Sequence, residues 1–207
     1  MRVRNDVMAQ AQPVSDEDLV RQTVAGNAEA FDLIVSRYQD RIFNLLARMS
    51  GSAEEAEDLA QETFLQAFRA LASFKQGSKF YTWLFRVAVN KGFSKRRQDV
   101  RRRAHEGGRL DAPTGGGDGE QTLGAIIPER HASDPARRLE TEQIRERVRE
   151  GLKEIDPDYR AILILRDIEG LDYDAIAEAL DISRAAVKSR LHRARLEMAR
   201  LLKDLRK

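Results

Sequence analysis

The residue types best suited to binding chemistry lie near the C-terminal end of the chain, after Ser183. Residues at helical spacing predict an apolar face there: Val187, Leu191, Ala194 and Met198. The rest of that surface carries cations and hydrogen-bonding groups: Arg184, Lys188, Ser189, Arg190, His192, Arg193 and Arg195. Such a surface suits DNA, because basic side chains neutralise phosphates or bind guanine while serine and histidine hydrogen-bond base edges. The segment is therefore a candidate DNA-recognition helix.

A short helix and a tight turn position this candidate recognition helix. Asp172 is placed to cap the helix YDAIAEAL, and Ala177 is small where two helices must approach closely. The turn 181–183 is brief, and Ser183 is a good cap for the second helix. The pattern predicts a helix-turn-helix whose second helix enters the major groove. The alternative, an amphipathic surface helix with a solvated basic face, is disfavoured by the preceding helix and turn.

A second segment, residues 73–97, interleaves aromatic and basic side chains. This combination suits single-stranded nucleic acid, because bases stack on aromatic rings while cations neutralise the backbone. At least one aromatic stripe must belong to the core. We expect the exposed functional part at Lys75–Lys79 and at the edges of Tyr81 and Trp83.

Acidic and amide side chains cluster near the start of a third predicted helix, which begins at about Ala53. The cluster comprises Glu55, Asp58, Gln61 and Glu62. Acidic side chains in a first turn complement the helix dipole, so a purely structural role is one interpretation. The other is a docking face for a basic protein partner. The residues alone favour neither.

The predicted helices fall into two groups, separated by a stretch rich in glycine and proline. Residues 1–14 are expected to be a flexible leader, and residues 15–98 to form one helical domain. Residues 99–138 are expected to be a flexible linker because their composition does not support a packed core. Residues 139–207 form the second domain. The predicted fold class is all-α, with two small helical domains joined by a flexible linker.

Several element boundaries and core positions follow from the same patterns. Ser15 is expected to cap the first helix, and a fourth helix is expected from about Phe80 to Arg97. Phe68 and Ile144 are placed on apolar stripes of their helices. Another helix opens at Pro157 and ends before Gly170.

Composition excludes several classes of function. The chain has no cysteine, so disulfides, zinc thiolates and thiol nucleophiles are absent. Its histidines, His105, His131 and His192, lack metallohydrolase spacing, and no phosphate-binding glycine loop occurs. We therefore expect no enzyme activity, metal or cofactor. No apolar run approaches the roughly 20 residues of a membrane span. The N-terminal end lacks a signal-peptide core, so a cytoplasmic location is expected.

Four segments together resemble bacterial RNA polymerase sigma factors, specifically the small two-domain extracytoplasmic-function (ECF) group. They are AEAFDLIVSRYQDRIFNLLARM, AEDLAQETFLQAFRAL, SFKQGSKFYTWLFRVAVN and YRAILILRDIEGLDYDAIAEALDISRAAVKSRLHRAR. The resemblance spans nearly the whole chain apart from the leader and the linker. It implies that residues 15–98 are sigma region 2 and that residues 139–207 are sigma region 4.

The resemblance implies a transcription initiation factor that binds core RNA polymerase and directs it to promoters. The acidic cluster Glu55, Asp58, Gln61 and Glu62 would dock on the clamp helices of the β′ subunit, and the linker would thread through the polymerase channel. The recognition helix would bind the duplex −35 element. The set that would recognise the −10 element and hold the melted non-template strand is Lys75, Gln76, Gly77, Ser78, Lys79, Phe80, Tyr81, Trp83, Arg86 and Asn90.

The resemblance also implies partners beyond promoter DNA. These are the β′ and β subunits of core polymerase and an anti-sigma factor that covers the polymerase-binding faces. Two departures from the family pattern affect base preference. The loop has Lys75, Gln76 and Gly77 where Arg-Gly-Asp is frequent, and His192 replaces a position that is commonly aromatic or aliphatic. The alternative function is a conventional helix-turn-helix regulator that binds palindromic sites without polymerase.

Overall fold

The structure is a computed structural model that describes residues 14–74, 79–105 and 135–204. All regular elements in these ranges are helical, as predicted. The N-terminal unit comprises α1 (Asp16–Val24), α2 (Ala28–Ser50), α3 (Ala53–Ala70), a 3₁₀ turn (Leu71–Ser73) and α4 (Phe80–His105). The C-terminal unit comprises α5 (Pro135–Glu154), α6 (Pro157–Leu163), a π-helical turn (Ile164–Ile168), α7 (Tyr173–Leu180) and α8 (Arg184–Asp204). Residues 1–13 of the predicted leader and most of the linker lie outside the described residues.

Short polar side chains begin these helices, as the sequence indicates. The Ser15 hydroxyl accepts from the Asp18 amide at 3.1 Å, and Asp172 accepts from the Ala175 amide at 2.8 Å. Ser183 caps α8 by accepting from the Ala186 amide at 3.2 Å. Gly170 adopts φ +72° after the π-helical turn, a conformation that favours glycine. These caps confirm the predicted starts of α1, α7 and α8.

The basic α4 helix is longer than predicted, since it continues to His105 rather than ending near Arg97. Asp99 lies one turn from two cations, 3.4 Å from the Lys95 ammonium and 3.5 Å from the Arg102 guanidinium. Such pairs at helical spacing stabilise an exposed helix. The segment 99–105 therefore extends α4 instead of beginning the linker.

The helix that starts at Pro157 also differs from the prediction. It changes into a π-helical turn at Ile164–Ile168 before Gly170 ends it. Two residues placed on apolar stripes are exposed as well: Phe68 is 48% exposed and Ile144 is 53% exposed. The prediction of buried side chains is therefore wrong at these two positions. The apolar stripe of each helix is wider than the part of its surface that neighbouring helices cover.

The two units pack against each other, a contact that the sequence did not predict. Helix α7 lies along α4, while α5, α6 and the π-helical turn contact α2. Buried apolar residues of both units form one continuous cluster, which includes Phe85 and Ile176. Glu169 crosses to α2 as an ion-pair partner of Arg41 and Arg48.

No helix in the described ranges is both long and apolar enough to span a bilayer.

Candidate nucleic-acid and protein interfaces

The recognition helix α8 is anchored by its apolar face. Val187, Leu191 and Ala194 are buried and pack against the rest of the C-terminal unit. This packing turns the opposite face outward, and Lys188, Ser189, His192 and Arg193 are all exposed there. Within the described part of the chain, no other side chain engages these four. They are therefore available to a ligand, as the sequence predicted.

Three other cations of α8 are already paired with carboxylates. Arg184 lies 3.4 Å from Asp174, and Arg190 lies 3.9 Å from Asp158. The third pair is tighter: Arg195 Nε donates to Asp167 Oδ2 at 3.1 Å. This hydrogen bond raises the pKa of the Arg195 guanidinium. Arg195 thus fixes α8 to the π-helical turn, a role that sequence reasoning did not separate from DNA binding.

Ala185 was missed as a candidate, although it is exposed one turn before Lys188 on the same surface of α8. A small apolar side chain at the start of a recognition helix can contact a thymine methyl group. Because alanine carries no charge or hydrogen-bonding group, its type gave no signal. Only the exposure of Ala185 in the structure makes it a candidate for DNA contact.

The aromatic segment is divided between core and surface. Phe80 is 1% exposed and Trp83 is 7% exposed, so the expectation of an exposed Trp83 edge is wrong. Both rings pack with Phe74, at centroid distances of 5.8 Å and 5.3 Å. Aromatic rings bury a large apolar area. This cluster therefore joins Phe74, which precedes residues 75–78, to the start of α4, which follows them. Residues 75–78, which include the predicted Lys75, Gln76, Gly77 and Ser78, lie outside the described residues.

Truncation of Trp83 is expected to act through folding. Removal of a buried indole leaves a cavity, so Trp83→Ala should lower the free energy of unfolding by about 3–5 kcal/mol. Tyr81, which is half-buried, is the matched control, and Tyr81→Ala should cost much less. Chemical denaturation followed by circular dichroism measures both. Equal losses for the two variants would contradict this division of the aromatic segment.

The remaining residues of the melted-strand candidate set lie on α4 or, for Lys79, immediately before it. The Lys79 ammonium lies 5.7 Å from the centroid of the Tyr81 ring, and Asn90 is exposed. Arg86 is close to a carboxylate of the other unit, 3.7 Å from Glu178 of α7. An exposed ammonium and a partly exposed guanidinium beside a half-exposed ring are groups that suit a nucleic-acid strand. Trp83 and Phe80 position this surface from beneath.

The acidic cluster on α3 is mostly accessible. Asp58 and Gln61 are exposed, and Glu62 accepts from the Lys91 ammonium at 2.9 Å. Glu55 lies in the first turn of α3, and its backbone N–H donates to the Ser52 hydroxyl at 3.3 Å. A carboxylate in a first turn complements the helix dipole, so this position suits a structural role. The exposed part remains open to a partner.

Two exposed apolar residues continue this surface along α3. Leu65 is 56% exposed and Phe68 is 48% exposed, and the Phe68 ring meets Phe31 edge-on at 5.0 Å. An apolar patch rimmed by polar groups is typical of a protein-binding surface. Sequence reasoning missed Leu65 and assigned Phe68 to the core.

No group of carboxylates or histidines in the described ranges is arranged to hold a metal ion.

Comparisons with known proteins agree with this geometry. The sequence profile of Sigma-70 region 2 matches residues 34–102, and that of Sigma-70 region 4 matches residues 145–198. The RNA polymerase sigma-H factor of Pseudomonas aeruginosa is 35% identical over 191 residues, covering 92% of this chain and 95% of that protein. The ECF RNA polymerase sigma-E factor of Escherichia coli K12 is 33% identical, covering 89% and 93%.

Solved structures share the architecture. CnrH, in its complex with the cytosolic domain of CnrY, superimposes with a TM-score of 0.61 at 25% identity, covering 92% of this chain and 99% of that one. The sigma factor RpoE from Bartonella quintana, in complex with the anti-sigma factor NepR, shares the fold with a TM-score of 0.62 at 24% identity, covering 84% and 96%. With both region profiles matched and relatives aligned over most of their length, the chain belongs to the ECF sigma factors, which direct RNA polymerase to promoters.

Proposed function

We propose that the exposed face of α8 binds the −35 element as duplex DNA. The observation that carries this proposal is the set Lys188, Ser189, His192 and Arg193, exposed on a helix whose opposite face is buried. The N–H and O–H groups of such a face can donate hydrogen bonds to backbone phosphates and to base edges. The ion pair between Arg195 and Asp167 supports the orientation of the helix rather than base recognition.

We propose that the surface of α4 and the preceding loop hold the −10 element as a single strand. Lys79, Tyr81, Arg86 and Asn90 supply the cations, ring and amide, while Lys75–Ser78 complete the loop. Phe80 and Trp83 support this surface without touching DNA, because both are buried. Stacking is tolerant of sequence, so specificity for particular bases comes from the loop.

The polymerase-binding surface is assigned to the exposed part of α3. Asp58 and Glu62 supply the negative charge that suits the β′ clamp helices, and Gln61 adds a hydrogen-bonding amide. Leu65 and Phe68 extend the contact with apolar area. Charge complementarity sets orientation and association rate, whereas buried apolar anchors supply affinity. Both kinds of group lie along one helix.

The proposal treats residues 15–98 and 139–207 as the two functional domains, with 99–138 as the connection and 1–14 as a leader. The first residues of the connection continue α4, and its last residues begin α5. Tethering both DNA-binding surfaces to one polymerase raises their effective concentration, so two modest contacts become one specific contact. The chain performs no catalysis of its own in this scheme. It acts in the cytoplasm with polymerase. Its activity is restrained by an anti-sigma factor, the kind of partner that is bound to RpoE in the solved complex.

Transcription in vitro tests the proposal as a whole. Core polymerase, the full chain and a library of random promoters should yield a −35 consensus and a −10 consensus at one preferred spacing. A polymerase without the chain is the control. Enrichment of a single palindromic site, bound equally well without polymerase, would instead support the conventional regulator.

Exchange of the loop tests the −10 assignment separately. Replacing Lys75–Lys79 with the loop of another ECF sigma factor should change the selected −10 bases and leave the −35 bases unchanged. The reason is that the loop adjoins α4 and is far along the chain from α8. The same library selection measures both elements. An unchanged −10 consensus would refute the role of the loop.

A further inference from the structure

We propose that Asp158 and Asp174 are intramolecular counterions of α8: they neutralise arginines on its two flanks, and DNA phosphates compete with them for those arginines. The two carboxylates thereby lower the affinity of α8 for duplex DNA of any sequence. The inference rests on the proposed binding of the −35 element by α8. It adds two acidic residues of other helices that limit this binding.

The flanks of α8 are defined by its buried face. Val187 and Leu191 point into the core, and each residue of an α-helix is rotated by about 100° from the previous one. Arg184 therefore lies on one side of the outward face that carries Ser189, and Arg190 lies on the other side. A helix in the major groove has a phosphate backbone on each side. Both arginines are thus placed to meet the backbones of the groove.

Each of these flanking arginines has a carboxylate from a preceding helix. On one flank Arg184 Nη1 lies 3.4 Å from Asp174 Oδ2 of α7. On the other flank Arg190 Nη1 lies 3.9 Å from Asp158 Oδ2 of α6. The four exposed residues of the outward face have no such partner in the described ranges. Charge compensation is therefore selective, because it neutralises the flanks and leaves the base-reading face charged.

Both pairs are loose enough for a phosphate to displace the carboxylate. The exposed fraction of all four side chains lies between 40% and 70%. Exposed ion pairs are weak because water and salt screen them. Contacts of arginine with phosphate are charge-assisted and frequently bidentate. A phosphate can therefore take either arginine from its carboxylate, but the displaced carboxylate then adds a repelling charge beside the DNA.

The third ion pair of α8 has a different geometry. Arg195 Nε donates to Asp167 Oδ2 at 3.1 Å, and Nη2 of the same guanidinium contacts the other carboxylate oxygen. A bidentate pair fixes the orientation of both groups. Asp167 therefore serves the packing of α8 on the π-helical turn and is not one of the two counterions.

The counterion role and a purely structural role predict opposite effects on DNA binding. Asp158 and Asp174 each lie in the first turn of their own helix, where a carboxylate complements the helix dipole. With only that role, their loss would loosen α6 or α7 and weaken DNA binding. Loss of a counterion instead frees an arginine and strengthens DNA binding. The direction of the change separates the two roles.

Binding of the holoenzyme to short fluorescent duplexes tests the proposal. One duplex carries the −35 element obtained from the library selection, and the other carries the same bases in scrambled order. Asp158→Asn and Asp174→Asn should each raise the affinity for both duplexes about threefold, because each removes a weak competing ion pair. The plot of log affinity against log salt concentration should steepen by about one for each freed arginine. Fluorescence anisotropy over a potassium chloride series measures both quantities.

Two controls separate a local ion pair from a general change in net charge. Asp181→Asn removes the same charge from an exposed position just before α8, where the carboxylate has no ion-pair partner among the described residues. Asparagine tolerates the left-handed backbone of this position, so the turn is retained. This variant should leave affinity and salt dependence nearly unchanged. In a chain that also carries Arg184→Gln, Asp174→Asn should have no effect, because the arginine through which it acts is gone.

Three results would overturn the proposal: an affinity that falls or stays unchanged in both aspartate variants, an equal gain in Asp181→Asn, or a gain that persists beside Arg184→Gln. Circular dichroism establishes that each variant is folded. The unaltered holoenzyme tests the proposed function separately. If it binds both duplexes equally, recognition of the −35 element by α8 fails, whereas the scrambled duplex still measures the counterion effect.

Discussion

Asp58→Arg is expected to weaken binding of the chain to core RNA polymerase by about 100-fold, because a reversed charge in a protein interface costs several kcal/mol. Asp58 is exposed on α3 beside Gln61, and no fold contact in the described residues depends on its carboxylate. Glu62→Arg is a less clean change, since it would face Lys91, its present ion-pair partner. The single variant therefore isolates the interface.

Fluorescence anisotropy of labelled chain against core polymerase gives the dissociation constant. Asp40→Arg, an identical charge change at an exposed position of α2, is the control and should bind as the unaltered chain does. Phe68→Ser should also weaken binding, because it removes an exposed apolar contact. Equal binding by Asp58→Arg and Asp40→Arg would exclude α3 as the docking face.

Arg193→Ala combined with Lys188→Ala is expected to reduce promoter binding by the holoenzyme about 100-fold, since each base or phosphate contact contributes about 1–3 kcal/mol. Both side chains are exposed and neither supports the fold through a described contact. The loss should appear only on templates that contain the −35 element. Open-complex formation on a pre-melted template with the −10 element alone should be unaffected.

The C-terminal end of the same helix provides the control. Arg200 lies about two turns beyond Arg193 and on nearly the same face. Arg200→Ala should leave promoter affinity almost unchanged, because a recognition helix contacts bases through its N-terminal half. Electrophoretic mobility shift of holoenzyme on both templates measures the effect. A comparable loss on the pre-melted template would contradict the assignment of α8.

The sequence predicted those features that depend on neighbouring residues. Ser15, Asp172 and Ser183 cap helices as expected, because a cap needs only a short polar side chain and an amide three residues later. The buried face of α8 was predicted for the same reason, since helical spacing alone places Val187 and Leu191 together.

Features that depend on distant parts of the chain were missed. Trp83 was expected at the surface because its type suits base stacking, but the rings of Phe74 and Phe80 enclose it. The ion pair between Arg48 and Glu169 joins residues 121 positions apart, and no local pattern indicates it. Helical periodicity shows which face of a single helix is the most apolar. Whether a residue on that face is buried depends on which other helices pack against it.

The buried position of Trp83 gives the chain an intrinsic optical reporter. It is the only tryptophan in the sequence, so all indole fluorescence originates from one site. That site adjoins the start of α4, beneath the surface assigned to the melted strand. Indole emission responds to the polarity and packing around the ring. Unlabelled chain therefore carries its own probe for the strand binding proposed at this surface.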